Sequence, residues 1–351
     1  MPDKLEWKKQ VLGTLSKCYS LAPLQKDGCS HFLVAAEKTD RCLLFSEDGK
    51  LEETVWEGPG GVMTMEQVPG SDGVFLATHR FYSPNDSASA SIVVAEPDEA
   101  GWKVHTLCPL PFVHRFGILR RGGVNYLVAA TLKSAHAYKD DWTCPGRIWV
   151  GVLPDDLSVF DDEHPLPMTA LVSGLYKNHG FCKTTEDGVE TAYFGTENGV
   201  IRVAPPAEAG AEWEVSTVLE TPVSDMTLAD FDGDGETEMM TFSPFHGDTL
   251  AVWKKQGGAY AKVWDCERKL PFLHAIWSGK LAGKGRAVLG YRQGDRELLC
   301  LSFEDGAYKL DVIDSGAGPA NVMHLVVNGT DCLVAANRET DEIALYKLSV
   351  N

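Results

Sequence analysis

A pattern that recurs about every 50 residues constrains this chain more than any other feature of its sequence. Each copy contains an apolar segment that ends in small residues, such as HFLVAAEK at 31–38. A segment of the type aromatic–Lys–x–apolar follows it, such as YKLDVIDS at 308–315. The copies open near Ser20, Gly61, His114, His179, Asp225, His274 and Asn321, and from Gly61 onward they are spaced by 53, 65, 46, 49 and 47 residues. The sequence therefore repeats one structural unit seven times, with an insertion at 133–147 lengthening the third.

These units predict an all-β fold. Apolar segments of four to eight residues are separated by turns, and no segment keeps a helical period for more than a turn or two. A repeat of 40–50 residues with four strands is the period of a β-propeller blade. The last copy lacks its outer strand, and LEWKKQVLGT at 5–14 matches the missing element. We therefore predict a seven-bladed β-propeller whose ring is closed by the N-terminal strand pairing into the last blade. A β-sandwich, the alternative, does not explain why the two termini match.

The predicted ring also changes the expected domain count. A length of 351 residues taken alone suggests two or three domains. Seven blades in one closed ring predict a single domain over residues 1–351. The predicted blades are 15–57, 58–109, 110–174, 175–221, 222–268, 269–316, and 317–350 together with 5–14.

Charge and cysteine content narrow the classes of function. The chain has 32 Lys and Arg against 50 Asp and Glu, a formal net charge of −18. This balance argues against a nucleic-acid partner, whose phosphates demand cationic side chains, and against an anionic membrane surface. The nine Cys are scattered without a CxxC pair, and MPDKLEWKKQ contains no apolar signal segment. We expect a cytoplasmic protein.

One acidic segment has the spacing of a cation-binding loop. In DFDGDGETE the acidic residues are Asp230, Asp232, Asp234, Glu236 and Glu238, and a glycine at 235 permits a sharp turn. Alternating carboxylates suit a hard cation such as Ca²⁺. The loop resembles the D-x-D-x-D-G loop of FG-GAP and VCBS-type propeller repeats. The other six units lack it, so the resemblance implies at most one ion, Ca²⁺ or Mg²⁺, that braces the blade.

The histidines are concentrated at equivalent positions. His114, His179 and His274 align at the start of the predicted innermost strands, in register with Asp225 and Asn321. Three more, His79, His136 and His246, follow the second strand of their blades. Both positions face the same end of a propeller, so we expect these side chains to surround the mouth of the central channel. The alternative is that each histidine is an ordinary core or rim residue.

Imidazoles beside an oxygen ligand suit a transition metal or proton transfer. We predict a channel-mouth metal site for Mn, Zn, Fe or Ni at His114, His179, Asp225 and His274. The predicted catalytic residues are His79, His114, His136, Tyr138, His179 and Arg292. The predicted substrate-binding residues are Arg80, His246, Asn321 and Arg338, since Arg pairs with carboxylates and the others with hydroxyls.

This combination of a propeller face with His, Tyr and Arg is similar to two groups of propeller enzymes. One comprises the oligogalacturonate and ulvan-type lyases, and the other the aldos-2-ulose and anhydrofructose dehydratases. The resemblance implies β-elimination, and it carries no catalytic residue over by motif. We therefore predict a carbon–oxygen lyase or dehydratase with a small carbohydrate substrate, its oligomeric state left open. The alternatives are a non-catalytic propeller that binds a ligand or protein, and a metal-dependent sugar hydrolase or isomerase.

Overall fold

A computed structural model describes residues 5–350. This part of the chain forms 28 strands in seven four-stranded antiparallel sheets. It contains no α-helix, and therefore no helix long and apolar enough to cross a membrane. The prediction of an all-β seven-bladed propeller is confirmed. The ends of the predicted domain range, 1–4 and 351, lie outside the described residues.

The first strand of the chain belongs to the last blade. Strand β1 (Leu5–Thr14) pairs antiparallel with the C-terminal strand, matching Leu5 with Val350 and Lys8 with Lys347. Blade one has β2 (Cys18–Lys26), β3 (Cys29–Ala36), β4 (Cys42–Ser46) and β5 (Leu51–Trp56). Blade two has β6 (Met65–Gln67), β7 (Phe75–His79), β8 (Ser91–Asp98) and β9 (Gly101–Pro109). Blade three has β10 (Val113–Arg121), β11 (Val124–Lys133), β12 (Pro145–Leu153) and β13 (Thr169–Leu175).

The remaining blades keep the same order from the axis outward. Blade four has β14 (Gly180–Glu186), β15 (Val189–Thr196), β16 (Gly199–Ala204) and β17 (Glu214–Leu219). Blade five has β18 (Asp225–Ala229), β19 (Glu238–Ser243), β20 (Thr249–Gln256) and β21 (Ala259–Asp265). Blade six has β22 (Leu273–Leu281), β23 (Lys284–Tyr291), β24 (Leu298–Glu304) and β25 (Ala307–Asp314). Blade seven has β26 (Asn321–Val327), β27 (Thr330–Asn337) and β28 (Glu342–Val350), closed on the outside by β1.

The core lies between the blades rather than inside one sheet. Each sheet packs against two neighbours, so its middle strands are apolar on both faces, as in the fully buried run from Phe32 to Ala36 of β3. Small residues at the ends of these strands allow the blades to converge towards the axis. This packing explains the apolar segments ending in small residues that reveal the repeat in the sequence.

Candidate functional site

The starts of the innermost strands bring polar side chains together at one end of the channel. Tyr19, His114, Asp225, His274 and Asn321 lie within the first two residues of β2, β10, β18, β22 and β26. His179 immediately precedes β14. Because innermost strands surround the propeller axis, equivalent positions of successive blades face one another there. The sequence places these side chains at one mouth for that reason.

Four imidazoles are connected by ring contacts at this mouth, and we call them the imidazole cluster: His114, His179, His246 and His274. The ring centroids of His114 and His179 are 4.4 Å apart, and those of His179 and His246 are 5.0 Å apart. The ring of His274 lies 5.6 Å from both His179 and His246. The cluster thus joins blades three, four, five and six.

Backbone carbonyls fix the tautomers of two cluster members. Nδ1 of His179 lies 3.0 Å from the carbonyl oxygen of Ser224, and Nδ1 of His274 lies 2.7 Å from that of Ala320. A carbonyl oxygen only accepts, so Nδ1 carries the proton and Nε2 carries a lone pair in both neutral rings. Nε2 of His274 accepts a hydrogen bond from the Tyr19 hydroxyl at 2.9 Å. Nε2 of His179 is buried with no partner among the described residues.

The ligand atoms of His179, His246 and His274 lie within 4.8 Å of one another, close enough to hold one metal ion. The predicted metal set is His114, His179, Asp225 and His274. His246, predicted to bind substrate, takes the place of His114 and Asp225 in this triad. The donors fit a transition metal, because backbone carbonyls orient His179 and His274, and Nε2 of His179 has no partner among the described residues. A metal would replace the Tyr19 hydroxyl at Nε2 of His274.

Burial keeps the cluster uncharged. It lowers the pKa of His114, His179 and His274 well below 6.5, and nearby imidazoles and the Arg115 side chain lower it further. Burial, with Arg292 and Arg115, also lowers the pKa of His246 to about 3. Neutral imidazoles are the form that binds metals and accepts protons. At neutral pH all four rings are therefore in the charge state that either role requires.

A buried ion pair crosses the channel beside the cluster. The Arg115 guanidinium lies 3.7 Å from Oδ2 of Asp225 and donates to the carbonyl oxygen of Met63 at 3.0 Å. Oδ1 of Asp225 accepts from the backbone N–H groups of Phe181 at 3.2 Å and Met226 at 3.0 Å. Burial raises the pKa of Asp225 to about 6, and the Arg115 charge opposes that rise. The contacts of Asp225 are therefore with the backbone and Arg115, and it is outside the metal triad.

His246 forms the accessible side of the cluster. Its ring stacks between the rings of Phe245, at a centroid distance of 4.0 Å, and Phe272, at 4.4 Å. His246 is half-buried, whereas the other three histidines of the cluster are at most 3% exposed. The backbone of His246 has a φ of 50° and its N–H donates to the Ser224 hydroxyl at 3.2 Å. Ser224 thus holds both His246 and His179.

Two glycines allow this arrangement through close backbone approach. A Cβ on Gly180 would lie 2.8 Å from the Ser224 carbonyl oxygen and from the Asp225 Cα. A Cβ on Gly247 would lie 2.5 Å from the Ser243 carbonyl oxygen. A side chain at Gly180 would push β14 away from blade five, and one at Gly247 would displace the turn that carries His246.

The other predicted catalytic histidines have separate ring contacts. His79 is buried with its ring 4.7 Å from Trp56, and burial lowers its pKa to about 4. His136 packs 5.6 Å from Phe112 in the inserted segment. Tyr138 is 64% exposed in that segment. None of these three has a ring contact with the cluster in the described part of the chain.

Two of the three predicted arginines are held by carboxylates on the adjoining rim. Arg292 lies 2.8 Å from Glu339, and Arg338 contacts both Glu339 and Glu37. Arg292 also lies over the Phe272 ring at 4.7 Å, which connects it to the cluster. Arg80 is exposed with a φ of 62°.

Asn321 has a structural contact, because its side-chain N–H donates to the Tyr19 carbonyl oxygen at 2.8 Å. This bond joins blade seven to blade one at the strand start that carries the Tyr19 hydroxyl.

The acidic loop lies between β18 and β19, as its spacing indicates. Carboxylate oxygens of Asp230, Asp232 and Asp234 lie within 4.8 Å of one another and could hold a cation. The ammonium of Lys254 already contacts Asp234 and lies 2.7 Å from Asp232 and 3.1 Å from the fully buried Glu238. The fit to Ca²⁺ is therefore incomplete, since a side chain of the same blade compensates these carboxylates. Glu236 is exposed and lies outside the cluster of three Asp.

Sequence reasoning missed Tyr19, Arg115, Ser224 and Phe272. Tyr19, Arg115 and Ser224 are adjacent to positions that the repeat alignment identified, Ser20, His114 and Asp225, and Phe272 lies two residues before His274. Their roles depend on contacts between blades, which a single sequence does not display. Alignment of the strand starts was the signal that could have included Tyr19.

Comparisons with known proteins agree with the fold. A streptogramin B lyase structure aligns with a TM-score of 0.59 and 13% identity, over 98% of this chain and 98% of that chain. A structure from Bacteroides fragilis NCTC 9343, described as a "putative 6-phosphogluconolactonase", aligns with a TM-score of 0.56 and 14% identity, over 96% of this chain and 95% of that chain. A structure with the same description from Bacteroides uniformis ATCC 8492 aligns with a TM-score of 0.54 and 12% identity, over 96% of both chains.

The sequence matches no protein-family model and no curated protein. Identities this low show the fold alone, a seven-bladed β-propeller. The resemblances to FG-GAP and VCBS-type repeats and to propeller sugar lyases stay predictions.

Proposed function

We propose that the imidazole cluster is the centre of a metal-dependent lyase or dehydratase that acts on a small sugar or sugar acid by β-elimination. The observation that carries the proposal is Nε2 of His179, which is buried with no hydrogen-bond partner within residues 5–350, in a residue whose ligand atom lies within 4.8 Å of those of His246 and His274. Leaving a polar atom unpaired in the core costs about 1–3 kcal/mol, and a bound ligand would recover that cost.

In this proposal His179, His246 and His274 hold a divalent transition metal: Mn, Zn, Fe or Ni. Such a metal polarises the carbonyl or carboxylate oxygen of the substrate and makes the adjacent C–H more acidic. The fixed Nδ1–H tautomers of His179 and His274 support this role, because they present Nε2 without any proton rearrangement. A metal at Nε2 of His274 would use the lone pair that now accepts from the Tyr19 hydroxyl, so this hydrogen bond would have to break.

His114 is the proposed base. It is neutral, its Nδ1 has no hydrogen-bond partner in the described part of the chain, and its ring is 4.4 Å from that of His179. Nδ1 takes the proton from the carbon next to the carbonyl, and the C–H electron pair forms the enolate. As the C=C bond forms, the C–O bond at the β carbon breaks. The leaving oxygen takes the proton back from His114, which returns the ring to its neutral state.

Access is proposed from the side of His246. His246 is the half-buried member of the cluster, and the neighbouring Phe245 lies 5.4 Å from Trp142 of the insertion. Aromatic faces bind the C–H faces of sugars, and Trp142 gives the insertion a role at this entrance. The streptogramin B lyase among the structural neighbours is described as a lyase, which supports this class of reaction as an analogy.

Hydrolysis of a sugar lactone is a second candidate. The two Bacteroides structures that align with this chain are each described as a "putative 6-phosphogluconolactonase". The same three imidazoles would activate a metal-bound water, and His114 would accept its proton. The two candidates differ in product, since elimination creates a C=C bond and hydrolysis does not.

The test is a product assay with a panel of sugar acids, ketosugars and sugar lactones in the presence of Mn²⁺, Zn²⁺, Fe²⁺ or Ni²⁺. Elimination gives ultraviolet absorbance from the conjugated C=C bond, and lactone hydrolysis gives acid without it. His114→Gln is expected to abolish turnover, and His164→Gln, an exposed histidine in the β12–β13 connection, is the matched control. If no member of the panel turns over, the non-catalytic propeller is the remaining function.

A further inference from the structure

A second pocket lies in blade three, outside the imidazole cluster. Its volume is about 580 Å³, within the usual range for small-molecule sites. Its walls come from the β9–β10 connection, the facing ends of β11 and β12, and the β12–β13 connection at 165–168. No member of the imidazole cluster lines it, so ligand binding in this pocket does not depend on the proposed reaction.

The pocket contains an arginine with no carboxylate partner. Arg147 is half-buried, and its guanidinium lies 5.4 Å from the Trp149 ring. Within residues 5–350 no Asp or Glu forms an ion pair with it, whereas Arg115, Arg292 and Arg338 are all paired. The chain has 18 more acidic than basic side chains, so an unpaired arginine in a cavity points to a ligand that supplies the anion.

The polar side of the pocket is held rigidly. Thr131 accepts from the Trp149 indole N–H at 3.2 Å and from the Arg147 backbone N–H at 3.1 Å. The two bonds to Thr131 fix Trp149 as a flat wall. Lys133 also lines the pocket, but its ammonium donates to the Asp141 carbonyl oxygen at 2.9 Å and lies 4.3 Å from the Trp142 ring. Neither of these partners lines the pocket, so Arg147 is the side chain that offers a positive charge to a ligand there.

The opposite side is apolar. Leu110, Leu166 and Met168 line it together with prolines of the two connections. A ligand that satisfies both sides has one carboxylate for the Arg147 fork and a flat or branched apolar body against Trp149 and Leu166. Highly hydroxylated sugars would lose hydrogen bonds to water against these walls.

We propose that the blade-three pocket is a binding site for a small amphiphilic monocarboxylate, with Arg147 binding the carboxylate and Trp149 stacking on the apolar body. The site lies at the same end of the propeller as the imidazole cluster, because β10 starts where β11 ends and β12 begins.

The test is isothermal titration of the purified full chain with 2-naphthoate, beside the neutral isostere 2-naphthamide. We expect saturable binding of 2-naphthoate that weakens as salt is raised, and at least about tenfold weaker binding of 2-naphthamide, because hydrogen bonds to a charged partner are the stronger ones. Arg147→Gln should also weaken 2-naphthoate by about tenfold or more, and Arg147→Lys by less. Arg120→Gln, a 59%-exposed arginine side chain of β10, is the matched control.

A second variant, Met168→Trp, fills the pocket from its rim while Arg147 stays in place, and it should abolish binding. The proposal is overturned if 2-naphthoate does not bind at millimolar concentration. Equal binding of the acid and the amide overturns it too, and this comparison needs only the wild-type chain, so a variant that misfolds does not weaken the test. Unchanged binding by a folded Arg147→Gln protein has the same consequence.

Discussion

At the scale of single residues, buried neutral imidazoles determine the chemistry of the channel mouth. His114, His179 and His274 have almost no contact with solvent, and nearby Arg115 disfavours their protonation. The same arrangement that prepares them for a metal or a proton makes the folded state sensitive to acid.

We predict that the free energy of unfolding falls as the pH drops below about 6.5. The folded-state pKa of each cluster histidine is lowered, for His246 to about 3, so below 6.5 the unfolded chain binds protons that the folded chain does not. Each such imidazole costs up to about 1.4 kcal/mol per pH unit. Asp225 has the opposite effect on stability between pH 6 and about 4, because its folded-state pKa is raised to about 6 and the folded chain binds its proton first. The four histidines of the cluster outnumber this single carboxyl group.

Urea unfolding at pH 8, 7, 6 and 5 measures this dependence. Stability should be level between pH 8 and 7 and fall steeply by pH 5. His246→Phe should reduce the slope, since it removes one titrating ring from between Phe245 and Phe272. Equal stability at pH 7 and pH 5 would contradict the description of the cluster.

We also predict that Tyr19→Phe destabilises the fold by about 1 kcal/mol. The Tyr19 hydroxyl is buried and donates to Nε2 of His274 at 2.9 Å, so its removal leaves that nitrogen unpaired. Tyr138→Phe, at a 64%-exposed position, is the control and should leave stability unchanged. Thermal denaturation of both variants gives the comparison, and an equal Tm for Tyr19→Phe and the wild type would exclude a structural role for this hydrogen bond.

At the scale of elements, the hairpin between β18 and β19 combines an acidic loop with a lysine from β20. Lys254 compensates Asp232, Asp234 and the fully buried Glu238. The D-x-D-x-D-G spacing predicted a cation in this loop, and a single sequence could not have indicated that an ammonium 16 residues beyond the last acidic ligand would lie among the carboxylates.

We predict that Lys254→Met destabilises the protein by about 2–3 kcal/mol in EDTA, because it leaves Glu238 buried without its ammonium. Added Ca²⁺ should restore much of the lost Tm in this variant, because the three Asp are spaced to bind it. Lys255→Met, on the exposed neighbouring residue, should change little. Differential scanning calorimetry with EDTA and with Ca²⁺ distinguishes these cases. A variant that matches the wild type in EDTA would show that Lys254 is not the counter-ion of the loop.

At the scale of the whole molecule, the repeat made the fold predictable and left the site only partly so. Strand starts such as His114, His179 and His274 are set by the repeat register, because equivalent positions of a ring converge. His246 joins His179 and His274 through the left-handed backbone of a tight turn, and the Arg115–Asp225 ion pair connects blade three with blade five. Such contacts depend on relative blade positions, which periodicity alone does not specify.

Ring closure gives a further prediction at this scale. Because Lys8 lies opposite Lys347 in the β1–β28 pair, Lys8→Cys with Lys347→Cys should form a disulfide on mild oxidation and raise the Tm. Lys8→Cys with Ser349→Cys, offset by two residues along the same strand, is the matched control and should cross-link far less. Mass spectrometry after oxidation detects the bond. Equal cross-linking of both pairs would contradict the register of the closing strand.

The most direct test of the account is the metal content of the purified protein, measured by elemental analysis after dialysis against Mn²⁺, Zn²⁺, Fe²⁺ or Ni²⁺. We predict about one transition-metal ion per chain in the wild type. That ion should be lost in His179→Ala and kept in His164→Ala, whose exposed ring lies outside the cluster. A wild-type protein that retains no transition metal under any of these conditions, or a His179→Ala protein that retains it fully, would contradict the assignment of the imidazole cluster as a metal centre.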